Sequence, residues 1–193
     1  RPADGMSFSF GNVDTIGAGE EGVSEGLVLS FNLWDSGDAN PDPAIYVKVD
    51  NVIYGAASMA EPAPGGGDRP PNPIDPATGE PMTITTGPQF VDVKLKLYRD
   101  GSVDVSYKGV KILNRVPTPY IPRTGDWAFA ARTGGANSTH WVDDLVILVN
   151  DDDGAIQLVT DFEEVPAGDA TGAVVADGFL HVTDAVNGQN NSF

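Results

Sequence analysis

Apolar and polar residues alternate with a period of two along most of the chain, the pattern of strands with one buried face. Met6, Phe8 and Phe10 alternate with Ser7 and Ser9 and predict a first strand. Leu27, Leu29, Phe31 and Leu33 share one face of a second, and Val28 and Trp34 make its other face partly apolar, which predicts a central place in a sheet. Ile45, Val47 and Val49 predict a third, continued by Val52 to Tyr54 after a turn at Asp50-Asn51. The clearest hairpin follows. Val91, Val93, Leu95 and Leu97 alternate with Asp92, Lys94 and Lys96, turn at Arg99-Asp100-Gly101-Ser102, and return through Val103, Val105 and Tyr107. Asp-Gly supplies the positive φ angles that a tight hairpin needs. Lys108-Gly109 turns again before Val110 to Leu113. Trp127, Phe129 and Ala131 predict a strand with the aromatic face buried, closed as a hairpin by Trp141 to Leu148 across the turn Arg132 to His140. Ile156 to Phe162, Ala173 to Val175 and Phe179 to Thr183 predict further strands, the last two around Asp177-Gly178. No segment reads as a helix of two turns or more. The fold class expected is all-β, a two-sheet antiparallel sandwich with almost no helix.

Two stretches interrupt this pattern. Asp35 to Pro43 consists almost wholly of turn formers. Residues 58–88 hold the run EPAPGGGDRPPNPIDPATGEP, in which proline removes ladder donors and glycine is costly to order, so it is expected to be a long surface loop. The expected organisation is a sandwich over 1–149 with that loop at 58–88, and a C-terminal strand segment over 150–193 that completes this sandwich or the next subunit.

Composition narrows the function classes. With 193 residues the chain fits one sandwich domain. Its net charge is −17, and of 28 acidic residues only seven are Glu; the rest are Asp, which favours turns and oxygen-ligand metal sites. Such a surface repels nucleic acid and anionic lipid. No apolar run is long enough to span a bilayer, so no membrane insertion is expected. Cysteine is absent and no disulfide framework exists. A start at Arg1-Pro2-Ala3-Asp4, falling at once into a strand, suggests a processed or excised piece of a longer protein.

Four segments carry a family resemblance. Ala3-Asp4-Gly5-Met6-Ser7-Phe8 resembles the Ala-Asp-Gly-x-x-Phe motif of legume-type lectins. Ser30-Phe31-Asn32-Leu33-Trp34, with Asn40-Pro41-Asp42-Pro43 and the strand after it, resembles the lectin metal loop. Gly17 to Gly26 resembles a ligand-facing glycine loop, and Thr133-Gly134-Gly135-Ala136-Asn137 the sugar-bordering loop. The chain thus resembles concanavalin-A-like jelly rolls. The Thr-Gly-Gly, His140 and Asp143-Asp144 arrangement looks closer to laminin-G-like bacterial surface domains, where His140 and Asp143 would be structural.

That resemblance implies a carbohydrate site. Asp4 would accept hydrogen bonds from sugar hydroxyls, Gly22 would offer a backbone amide, and Gly134, Gly135 and Asn137 would border the site. Sugars stack on aromatic faces, so an exposed aromatic near Asp4 would favour this reading, with Trp34 and Trp141 as the candidates. It also implies a calcium site at Asn32, Asp35, Asp38, Asn40 and Asp42, since a hard cation needs crowded oxygen ligands. The transition-metal half of the lectin site is missing: Ser30 stands where the family has Glu, Asn32 where it has Asp, and no His follows Pro43. The glucanase motif Glu-x-Asp-x-x-Glu of the same superfamily is absent, so no enzyme is expected. Two functions follow as expectations. One is a structural or adhesive repeat of an extracellular, cell-surface protein or filament, with copies of itself or neighbouring repeats as partners, and with assembly by strand donation as one route. The other is a calcium-dependent glycan-binding module. The tail motif from Asp161-Phe162 to Thr183 follows the closing strands instead of preceding Ala-Asp-Gly, an order that suggests a permuted domain or one cut from a tandem array.

Overall fold

The computed structural model describes residues 4–34, 42–59, 72–121, 123–134 and 138–150, and the strands within 156–160, 173–176, 179–182 and 190–192; from residue 148 on the description is of backbone alone. The fold is an all-β antiparallel sandwich. Its larger sheet has six strands in the order β14-β8-β1-β2-β3-β4. These are β1 (Gly5–Gly11), β2 (Gly26–Asn32), β3 (Ala44–Val49), β4 (Val52–Ser58), β8 (Asp126–Arg132) and β14 (Asn190–Ser192). A three-stranded sheet of β5 (Val93–Leu97), β6 (Val103–Tyr107) and β7 (Val110–Val116) packs against it. Only two short 3-10 turns, Val13–Thr15 and Gly19–Glu21, break the strand content of the described residues.

The alternating pattern explains the core. Leu27, Leu29 and Phe31 of β2 and Ile45, Val47 and Val49 of β3 meet Val103, Val105 and Tyr107 of β6 in one buried cluster. β2 is central, between β1 and β3, as its two apolar faces require. The turns fall where the sequence puts them: Asp50-Asn51, Gly101 and Lys108-Gly109 all have positive φ.

The Pro-rich stretch departs from a plain surface loop. Its described part, from residue 72, sends Met82 into the core, fully buried, with Ile84 packed beside it. The Tyr107 hydroxyl donates to the carbonyls of Thr83 and Ile84 at 3.2 and 2.9 Å. Burial pushes that phenol up, so it stays a donor at any ordinary pH. Proline prevented a ladder here, but did not prevent a single apolar anchor. Tyr107→Phe should therefore cost about 1 kcal/mol, read as an earlier denaturation midpoint with an unchanged slope.

The closing hairpin is also different. β9 (His140–Val142) pairs with β13 (Phe179–Val182), which pairs with β12 (Ala173–Ala176). β8 does not pair with β9, because β1 and β14 occupy its two sides. Asp144, at φ 49, separates β9 from β10 (Val146–Asn150), whose partner is β11 (Ile156–Thr160). The C-terminal strands thus pair with β8, β9 and β10 of their own chain.

Candidate functional site

Both faces of β1 and β8 are used: the aromatic face continues that of Leu27, Leu29 and Phe31, with Met6 and Phe10 packed against the core, and the small-residue face is the more deeply buried. Ser7 and Ser9 are buried, as are Ala128 and Ala130, while Trp127 is 42% exposed. The segment joining β1 to β2, residues 12–25, folds back over this small-residue face. Ser7 Oγ donates to Gly19 O at 2.6 Å, Ser30 Oγ donates to Glu20 O at 2.5 Å, and Ser9 Oγ accepts from Val23 N. The approach is close: a Cβ on Gly19 would lie 2.3 Å from the backbone of Ala131. Phe8, Phe10, Trp127 and Phe129 lie on the opposite face and stack on one another, with centroids 4.2–5.3 Å apart.

Under residues 12–25 sits an ion cluster that joins two of the motif segments. Arg132 Nε donates to Asp4 Oδ2 at 2.7 Å, and its Nη2 reaches Glu20 Oε1 at 2.8 Å. Asp4 enters through the register of the sheet, since its backbone N–H bonds Arg132 O and its carbonyl accepts from Leu33. Gly134 closes the cluster: a Cβ there would lie 3.2 Å from the Asp4 carboxylate. Glu20 is 4% exposed, and its Oε2 has no partner among the described residues. Burial raises its pKa, against the lowering pull of its backbone hydrogen bond and of Arg132. One guanidinium between two carboxylates leaves one negative charge too many for a buried site, and protonation of Glu20 relieves it.

Three residues of the expected sugar site, Asp4, Gly22 and Gly134, have contacts inside the fold. Asp4 is an ion-pair partner, its side chain 12% exposed. Gly22 takes φ 74, and its N–H donates to Gly19 O, closing a 3-10 turn, so the amide is not offered outward. Gly134 lines the cluster, and Gly135 and Asn137 lie outside the described residues. Trp34 is 38% exposed at the end of β2.

The calcium set is only partly described. Asp35, Asp38 and Asn40 lie outside the described residues. Asn32 Oδ1 accepts from Trp34 N at 3.0 Å, and Asp42, 2% exposed, accepts from the Tyr46 hydroxyl. Both known members are engaged by their own strand ends. Among the described residues no group of three or more acidic, His or Cys side chains is arranged to hold a metal, so these two residues make no cation site by themselves.

Arg132 and Glu20 escape a motif-based reading. Arg132 stands 128 positions from Asp4, and only the pairing of β1 with β8 brings the two together. The one sequence signal that bears on the covered face is the alternation of small residues, Ser7 and Ser9 with Ala128 and Ala130, opposite the aromatic ones. His140 is 6% exposed, and its Nε2 has no partner among the described residues. No family model matches this chain, and neither a curated protein nor a solved structure does.

Proposed function

We propose that this chain is a structural and adhesive sandwich module of an extracellular, cell-surface protein or filament, and that its partners are copies of itself or neighbouring repeats. The observation that carries this reading is the edge strand β4. Among the described residues it ends the six-stranded sheet, and it exposes Val52, Ile53 and Tyr54 at 53%, 40% and 40%. An open edge with apolar side chains is a template for association with another chain. The employment of Asp4, Gly22 and Asn32 inside the fold supports the same reading, because it removes acceptors and donors from the ligand-binding alternative. Assembly by strand donation would require β11, β13 or β14 to exchange their present partners for those of another copy.

The alternative, a calcium-dependent lectin-like module of the concanavalin-A-like type, rests on the exposed Trp34 and on the acidic stretch beginning at Asp35. Sedimentation velocity across a concentration series, beside a broad glycan array with and without calcium, separates the two. Concentration-dependent association with a blank array is expected. A calcium-dependent array signal from a protein that stays monomeric would favour the lectin.

A further inference from the structure

The chain's few cations are concentrated in one place. Residues 93–116, which form β5, β6 and β7, hold six of the 11 Lys and Arg and two acids, a net of +4 in a chain whose net charge is −17. The rest of the chain carries five cations against 26 acids. The alternation of the strands decides where these charges point. Leu95 and Leu97 pair with Val105 and Val103 and pack on the core, which turns Lys94 and Lys96 outward. Across the sheet Lys94 is in register with Ser106, and Ser106 with Lys111, so the outer face carries a row of lysines.

Of the acids near this face, Asp92 is exposed beside Lys94, whereas Asp104 and Asp100 are neutralised by cations of the same sheet. Asp104 accepts from Lys111 Nζ at 2.6 Å, Arg115 N at 2.6 Å and the Tyr98 hydroxyl at 2.9 Å. Asp100 pairs with Arg115 at 3.0 Å. Tyr98 is flanked by cations on the same face, with the Arg115 guanidinium 3.8 Å and the Lys96 ammonium 4.7 Å from its ring centre. Lys94 and Lys96 are exposed and pair with no carboxylate among the described residues. Lysines on an edge strand repel a basic strand and must be dehydrated against a neutral one, whereas an acidic partner compensates their charge. The partner of this face must therefore bring acids.

Such a partner is the chain itself. At one end of the larger sheet, Gly11 pairs with Gly26 on one side and Asp126 on the other, which gathers Glu25 and Asp126. Asp50 joins them by accepting from Gly26 N, and the exposed Asp14 follows on the same turn as Asn12, which bonds Glu25. Arg123, paired with Asp50, is the cation at that end. The geometry points to a head-to-tail contact in which the outer face of β5–β7, centred on Lys94 and Lys96, docks on the acidic sheet end Asp14, Glu25, Asp126 of a second copy. The two surfaces differ, so the contact does not close on itself and propagates as a linear chain of copies. This inference rests on the module reading and names its face and its partner.

The sign of the salt dependence separates this contact from an apolar one. Charge complementarity weakens as salt rises, whereas apolar association does not. Sedimentation velocity of the full chain at low and high sodium chloride is expected to show mass growing with concentration at low salt and dispersing at high salt. K94E/K96E should associate about tenfold more weakly, with an unchanged melting temperature because neither lysine is part of the core. E25K/D126K should weaken in the same way, and mixing the two variants should restore association between them. Association that persists in K94E/K96E, or that strengthens with salt, would overturn this contact and leave the module reading standing. A wild-type protein that is monomeric at every concentration and salt would overturn both. A monomer that binds heparin only while Lys94 and Lys96 are present would reassign the face to a polyanionic glycan.

Discussion

Arg132→Ala should destabilise the sandwich by about 3 kcal/mol at neutral pH, the low end of what removing one partner of a buried ion pair costs. The low end applies because Arg132 is itself 34% exposed and partly screened. Without it, the carboxylates of Asp4 and Glu20, whose side chains are 12% and 5% exposed, face each other under residues 12–25 with no cation between them. Chemical denaturation measures the loss directly. Its pH dependence identifies the cause. Glu20 has a folded pKa above its unfolded value, so its favourable contribution is whole below about 4.5 and is lost as pH rises through the folded value. The penalty of Arg132→Ala should accordingly shrink in acid, where Glu20 is neutral. The triple change Asp4→Asn, Glu20→Gln, Arg132→Met should recover most of the loss, since an uncharged set leaves no charge uncompensated. A midpoint unmoved by Arg132→Ala would mean that Asp4 is not held for the fold, and would return it to the role of a ligand acceptor.

This expectation reverses one that the motif alone suggests. By resemblance to Ala-Asp-Gly-x-x-Phe, Asp4 would be dispensable for stability and necessary for sugar; by its place beside Arg132 and Glu20, it is an ion-pair partner inside the fold. The strands were legible because period-2 alternation and the turns at Asp50-Asn51, Asp100-Gly101 and Lys108-Gly109 are local signals. The choice of buried face on β1 and β8 was not local. Aromatic residues dominate the hydrophobicity of both strands and face the core side, yet the more deeply buried side is the one on which small residues let residues 12–25 approach. Ser7 and Ser9 tolerate that burial because the loop supplies partners for their hydroxyls. Met82 was hidden for a related reason: one apolar anchor in a stretch full of proline and glycine has no periodicity to reveal it. The pairing of β8 with β14, and of β9 with β13, joins segments some 40 to 60 positions apart, and turn chemistry carries no information about it.

His140 should make the protein lose stability between pH 6.5 and 4. Burial alone pushes its pKa down to about 4, from 6.5 in the unfolded chain. In that window the unfolded state binds a proton that the native state refuses, so acid favours unfolding. The contribution is whole above 6.5 and lost as pH falls through 4, and the full span amounts to about 3 kcal/mol. The groups that titrate nearby in pH act at other places or with the other sign. Glu20 gains stability as it takes its proton in acid, and Asp104, held down to about 2 by Lys111 and the Arg115 amide, resists until more acidic conditions. His140→Leu separates these effects. It removes the orphaned Nε2 and the proton-binding difference together, so the variant's stability should be nearly flat, or rise slightly, from pH 6.5 to 4 while the wild type falls. Nuclear magnetic resonance titration of the ring protons gives the same answer site by site. A native His140 with a midpoint near 6.5 would show that the ring meets water.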